Sequence, residues 1–179
     1  MHHQTSLPIA ALLLTLPFAA CSVDVRGDDD RKSEVDIRTP IGDVSVRANA
    51  EDVADTGLPI YPGATRLEEG DEPGSADVKI GAFGFGLTVA AAKFASGDSE
   101  QSILDFYARD MKRYGTVTEC RGDVDFRGRT GPPTCKPEGS AREIQLVAGT
   151  RDDQHIVAIK PRAGGSEIAL VHVQIRGAD

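Results

Sequence analysis

Helical periodicity occurs in one clear place in this chain, and that limits the folds open to it. Ile103, Phe106, Tyr107, Met111 and Tyr114 recur at three- and four-residue spacing, which makes one buried stripe. Asp98 is placed to cap the N-terminus, with Gln101 where a capping box wants it. Lys112 and Arg113 suit the negative end of the helix dipole, and Gly115 is a natural stop. Most of the remaining chain reads as short strands. Ala76 to Phe83 and Leu87 to Ser96 flank Gly84, and Thr116 to Cys120, Arg142 to Ala148, His155 to Lys160 and Glu167 to Arg176 follow. Tight turns at Thr150 to Asp153 and Arg162 to Gly165 favour antiparallel pairing. Val35 to Arg38 and Val44 to Arg47 alternate apolar and polar around a Pro40 turn, so a short N-terminal β-hairpin is expected. Leu58 to Ala64 should be extended, because each proline pushes its predecessor out of the helical region. With a single amphipathic helix available, the expected fold is α+β: a two-layer arrangement of antiparallel β-sheet packed by that helix.

The charge balance narrows the function classes. Of 179 residues, 28 are Asp or Glu and 20 are Lys or Arg, a formal net charge of −8. A protein that coats nucleic acid needs the opposite sign, so no nucleic-acid partner is expected. Three cysteines without a C-x-x-C pair argue against a structural zinc site.

The N-terminus carries a different kind of signal. Leu7 to Ala20 is an uncharged apolar run of 14 residues. A bilayer-spanning helix needs about 20, so the run has the length of a secretory signal core instead. It ends in Phe18-Ala19-Ala20-Cys21, which resembles the lipobox of bacterial lipoproteins. An ordinary secretory signal cut after Ala20 is the rival, but it would put bulky Phe18 where a small residue is wanted. The lipoprotein resemblance implies cleavage before Cys21, a diacylglyceryl thioether on its sulfur and acylation of its amine. It implies residues 1–20 as a cleaved signal peptide and 21–34 as the lipidated cysteine and a disordered tether. Residues 35–179 would be a single globular domain. Ser22 after the cysteine slightly favours the outer membrane by family analogy. A second resemblance rests on Leu58-Pro59-Ile60-Tyr61-Pro62-Gly63-Ala64, then Phe106-Tyr107 and Tyr114-Gly115. That layout is similar to uncharacterised bacterial envelope lipoproteins, and it transfers no catalytic residue.

If Cys21 is lipidated, Cys120 and Cys135 remain, in an oxidising compartment. A structural disulfide is expected, because a redox pair usually has C-x-x-C spacing or an electropositive setting. Closing a loop of about 15 residues contributes about 3 kcal/mol in the chain-entropy model.

Chemical candidates are few. His155 and His172 each alternate with apolar residues, so both read as strand histidines rather than metal ligands. Asp152 and Asp153 read as solvated turn carboxylates. Gly81 to Gly86 lacks the helix that a phosphate loop opens into, and no serine sits in a G-x-S-x-G elbow. The expected catalytic, cofactor-binding and metal-binding sets are therefore empty, and no cofactor is implied. The sequence points to a non-enzymatic, lipid-anchored accessory protein on the periplasmic side of the cell envelope. It would be held to the membrane by Cys21 and would bind a protein or other envelope partner through a sheet face or edge. One alternative is a small-ligand carrier lined by Phe83, Phe85 and Phe94. Another is a metal-assisted enzyme around Asp152, Asp153 and His155.

Overall fold

The computed structural model describes residues 22–29, 32–40, 42–48, 52–67, 75–82, 84–137 and 142–177. The apolar N-terminal run, Cys21 and Phe83 lie outside these residues. A ten-stranded antiparallel sheet runs in the order β1 (Ser22–Asp29), β2 (Lys32–Thr39), β3 (Gly42–Ala48), β5 (Ser75–Ala82), β6 (Phe85–Ser96), β12 (Gly165–Arg176), β11 (Asp153–Arg162), β10 (Ile144–Thr150) and β7 (Thr118–Cys120). The short β4 (Thr65–Arg66) pairs with the end of β6, while β8 (Gly122–Phe126) and β9 (Pro133–Pro137) pair only with each other. One α-helix, α1 (Glu100–Asp110), occurs among the described residues and runs on as a 3-10 turn at Met111–Tyr114. The architecture is α+β, mostly antiparallel sheet.

The register places the core. Phe94 lies opposite Ile168, Ile168 opposite Ile159, and Ile159 opposite Ile144. Ala92, Leu170, Val157 and Leu146 form the next row on the same face. Ile103, Leu104, Tyr107 and Met111 of α1 and its 3-10 extension join these rows in one buried cluster, together with Leu58 and Tyr61. Ile103, Tyr107 and Met111 have no exposed surface. Each such side chain is worth about 1.5–3 kcal/mol of burial. A one-residue slip of β12 against β6 would turn every one of these sheet residues away from the helix.

The helix begins one residue later than expected. Ser99 is the cap, its side chain accepting from the Ser102 amide at 3.3 Å. Asp98 is otherwise engaged: its carboxylate accepts from the Tyr61 hydroxyl at 2.7 Å, and its amide donates to Ser96 Oγ at 3.1 Å. Gln101 bonds along the helix to Asp105 instead of back to a cap. Leu58 to Ala64 packs against α1, where the Tyr107 hydroxyl donates to Pro59 O at 3.0 Å and the Tyr61 ring meets Phe106 edge-on.

Ser22–Asp29, expected as part of a disordered tether, belongs to the sheet. β1 pairs with β2 from Ser22 opposite Arg38 to Asp29 opposite Lys32, and β2 pairs in turn with β3. The charge-dense composition conceals a period of two. Val23 and Val25 share a face with Ile37 and Val35, while Asp24 and Arg26 share the other face with Asp36 and Glu34. The ladder satisfies the backbone and segregates the charges, which a composition average cannot register.

The loop between the two cysteines is also ordered. Cys120 and Cys135 are bonded, with Cα atoms 5.4 Å apart and a sequence separation of 15. The bond ties β9 to the end of β7, and β8 and β9 pack against β10. Val147, on the face away from α1, becomes completely buried. Replacing both cysteines by serine should lower the unfolding free energy by about 3 kcal/mol in chemical denaturation. Limited proteolysis should then cut first between residues 121 and 134. A variant as stable and as resistant as the wild type would show that the bond contributes nothing.

Candidate functional site

The helix-side face of the sheet changes character away from the core. One row passes from Ala148 through His155, His172, Ala90, Asp77 and Arg47 to Glu34. The next row holds Asp153, Gln174, Thr88, Lys79 and Ser45. Within them Arg47 pairs with Glu34 at 2.7 Å and Lys79 with Asp77 at 3.1 Å. An open groove of about 440 Å³ runs over this polar area, lined by Asp43, Asp77, Lys79, His172, Gln174 and Arg176 among others.

A column of rings stands at one end of the groove. Tyr114 stacks on His155 with centroids 3.5 Å apart, and His155 stacks on His172 at 4.3 Å. The Arg113 guanidinium lies over the outer face of Tyr114, 4.8 Å from its centroid. The 3-10 turn Asp52–Thr56 closes the site from above. Its Asp55 carbonyl is 3.2 Å from His172 Nδ1. The Thr56 hydroxyl donates to Val53 O at 2.7 Å and accepts from the Leu58 amide, which holds the turn in shape. Gly57 follows with φ +67°, and its carbonyl accepts from the Tyr114 hydroxyl and from Arg113. A Cβ at Gly57 would come within 2.9 Å of that hydroxyl and 3.2 Å of His155 Nε2, so the turn needs glycine for both φ and space.

The two histidines have different surroundings. His172 Nε2 lies 2.8 Å from Asp153 Oδ1, and its Nδ1 faces the Asp55 carbonyl. Both neighbours are acceptors, and together they fix the orientation of the ring. His155 is 6% exposed, and its buried Nδ1 has no hydrogen-bond partner among the described residues. Burial, reinforced by His172 and Arg113 and opposed by Asp153, pulls its pKa down to about 4. His155 is therefore neutral at pH 7, sandwiched between a phenol and a second imidazole.

Asp153, His155 and His172 each offer a ligand atom, all within 4.8 Å of one another. A metal binds imidazole in the ring plane. Rings stacked 4.3 Å apart at an interplanar angle of 16° cannot both point their lone pairs at one ion. Sharing one ion would require the two rings to turn out of this stack. Asp152, grouped with Asp153 and His155 from sequence, points elsewhere and accepts from Arg129 at 3.1 Å. The carrier reading also changes: Phe94 is in the helix-side core, and Phe85 is 41% exposed on the other face of the sheet. Neither lines the groove, and Phe83 lies outside the described residues. Gly84, at φ +81°, simply turns the chain between β5 and β6. The His155–His172 pairing escapes sequence reading although its signal is present. The turn from Arg162 to Gly165 sets the β11–β12 register, and that register places the two histidines opposite each other.

No protein-family model, no curated protein and no solved structure matches this chain.

The buried neutral His155 makes a pH prediction. Its folded pKa lies below the ordinary value of about 6.5, so the unfolded chain binds the extra proton between those limits. Its contribution is intact above pH 6.5 and is lost as pH falls towards 4. The loss should be about 2–3 kcal/mol. His155→Phe keeps an aryl ring in the stack and removes the titration. Its stability curve should be flatter than the wild type's across this window, and parallel curves would rule the account out.

Proposed function

We propose that this protein is a lipid-anchored accessory protein of the cell envelope that works by binding rather than by catalysis. On this reading residues 1–20 are removed, Cys21 carries the acyl chains, and the folded domain faces the periplasm. The domain is a two-layer structure, with α1 across one face of the sheet and β2–β3 as an N-terminal hairpin. The lipobox-like Phe18-Ala19-Ala20-Cys21 supports the anchor.

The observation that carries the binding role is the sheet face opposite α1. Val23, Ile37, Val44, Ile80, Leu87 and Ile175 form one apolar row across six strands. Val25, Val35, Val46, Val78, Val89 and Val173 form the next. Val23 and Val25 are 62% and 67% exposed. A contiguous apolar area of this breadth marks an interaction surface. The groove on the other face is open and charged, which supports neither an enclosed carrier cavity nor an activated nucleophile.

Fractionation with intact mass spectrometry tests the anchor. The membrane-extracted protein should begin at Cys21, carry acyl mass on that residue and lack two hydrogens in the domain. Cys21→Ser should move the chain to the soluble fraction. Native protein that still begins at Met1 with an unmodified thiol would refute the reading.

A further inference from the structure

We propose that the apolar sheet face lies directly on the phospholipid bilayer that holds the anchor. The inference rests on acylation of Cys21 and adds what that anchor does to the domain. Ser22, the first residue of β1, follows Cys21 without a spacer. An anchored domain with no tether cannot stand clear of the headgroups. The strand nearest the anchor also bears the two most exposed valines, Val23 and Val25.

The distribution of charge fits the same orientation. In the two valine-rich rows every partner from β1 to β12 is aliphatic. Outward charge in β6 first appears at Lys93, beyond these rows. The carboxylates Asp24, Asp36, Asp43 and Asp77 occupy alternate positions and so face the groove. Arg26, Arg38, Arg47 and Lys79 share that face, so side chains of both charges point to the groove and the apolar face meets the headgroups uncharged. Phe85 extends the apolar area at the β5–β6 turn, 41% exposed and opposite Ala82.

A second copy could cover the same face, but no covalent link holds it there. The bilayer is delivered by a covalent anchor one residue away, which makes its contact with this face an intramolecular event. In this pose the groove and the ring column look away from the membrane.

The chain contains no tryptophan, so a single introduced one reports its own surroundings. Val25→Trp, Phe85→Trp and, on exposed α1, Asp105→Trp would each be purified as the mature protein from membranes. Each would be reconstituted in phosphatidylethanolamine–phosphatidylglycerol vesicles with and without brominated acyl chains, and its acyl mass would be measured on the same sample. Bromination should quench the first two about twofold or more and leave the third unchanged, as expected for side chains at the headgroup–acyl boundary. The quenching should persist in high salt, since apolar contact drives it. Acylated protein in which the Val25→Trp and Phe85→Trp variants both stay unquenched would overturn the inference and leave the anchor standing. Emission that shifts with protein concentration but not with bromination would assign the face to a second copy, and emission that shifts only with added envelope extract would assign it to a protein. Either result also overturns the inference. Protein without acyl mass would remove the anchor and the inference together.

Discussion

The register between β6 and β12 is the constraint on which the rest depends. It runs from Ser96 opposite Ser166 to Gly86 opposite Arg176, the longest pairing in the sheet. It joins two halves that otherwise have little in common. On one side β10, β11 and β12 supply the aliphatic rows under α1. On the other, β1, β2, β3 and β5 extend beyond the helix. Because side chains alternate strictly, this single register decides which residues of both halves face the same way.

One helix cannot cover a sheet of this width. An α-helix with its side chains is about 10–12 Å across, and neighbouring strands are spaced about 4.8 Å apart. α1 thus shields the rows around Ile159 and Ile168, and the helix-side face beyond them must tolerate water. It does so with charge pairs such as Arg47–Glu34 and with the His172–Asp153 contact. The aliphatic residues of the same strands consequently collect on the opposite face. At one end β8 and β9 pack over it against β10, held by the Cys120–Cys135 bond. The groove and the apolar face are two consequences of one geometric shortage.

Much of this is legible in the residue pattern, and the exceptions have identifiable causes. The α1 stripe, the strands flanking Gly84 and those from Ile144 to Arg176 follow from periodicity and turn chemistry. Ser22–Asp29 is misread from composition because charge density outweighs the alternation of Val23 and Val25. The expected cap differs from Ser99 by one residue because Tyr61, 37 positions away, takes the Asp98 carboxylate. β8 and β9 are hidden by the glycines and prolines of a loop that is ordered by a covalent bond and by packing on β10. In the candidate site, His155 is recognisable as a strand residue. Its partners Tyr114 and His172 come from distant parts of the chain.

The sequence alone determined the alternation, the one helix and its buried stripe, the turns, and the acidic balance. These are local properties, set by side-chain spacing along a chain of known pitch. Only the tertiary structure decided that a charge-rich N-terminal segment is an edge strand, that two imidazoles stack beneath a phenol, and that two aliphatic rows align across six strands. Each of these depends on cross-strand register and on contacts between residues far apart in the chain. Composition and periodicity carry no information about such distances, because they are created when the strands pair.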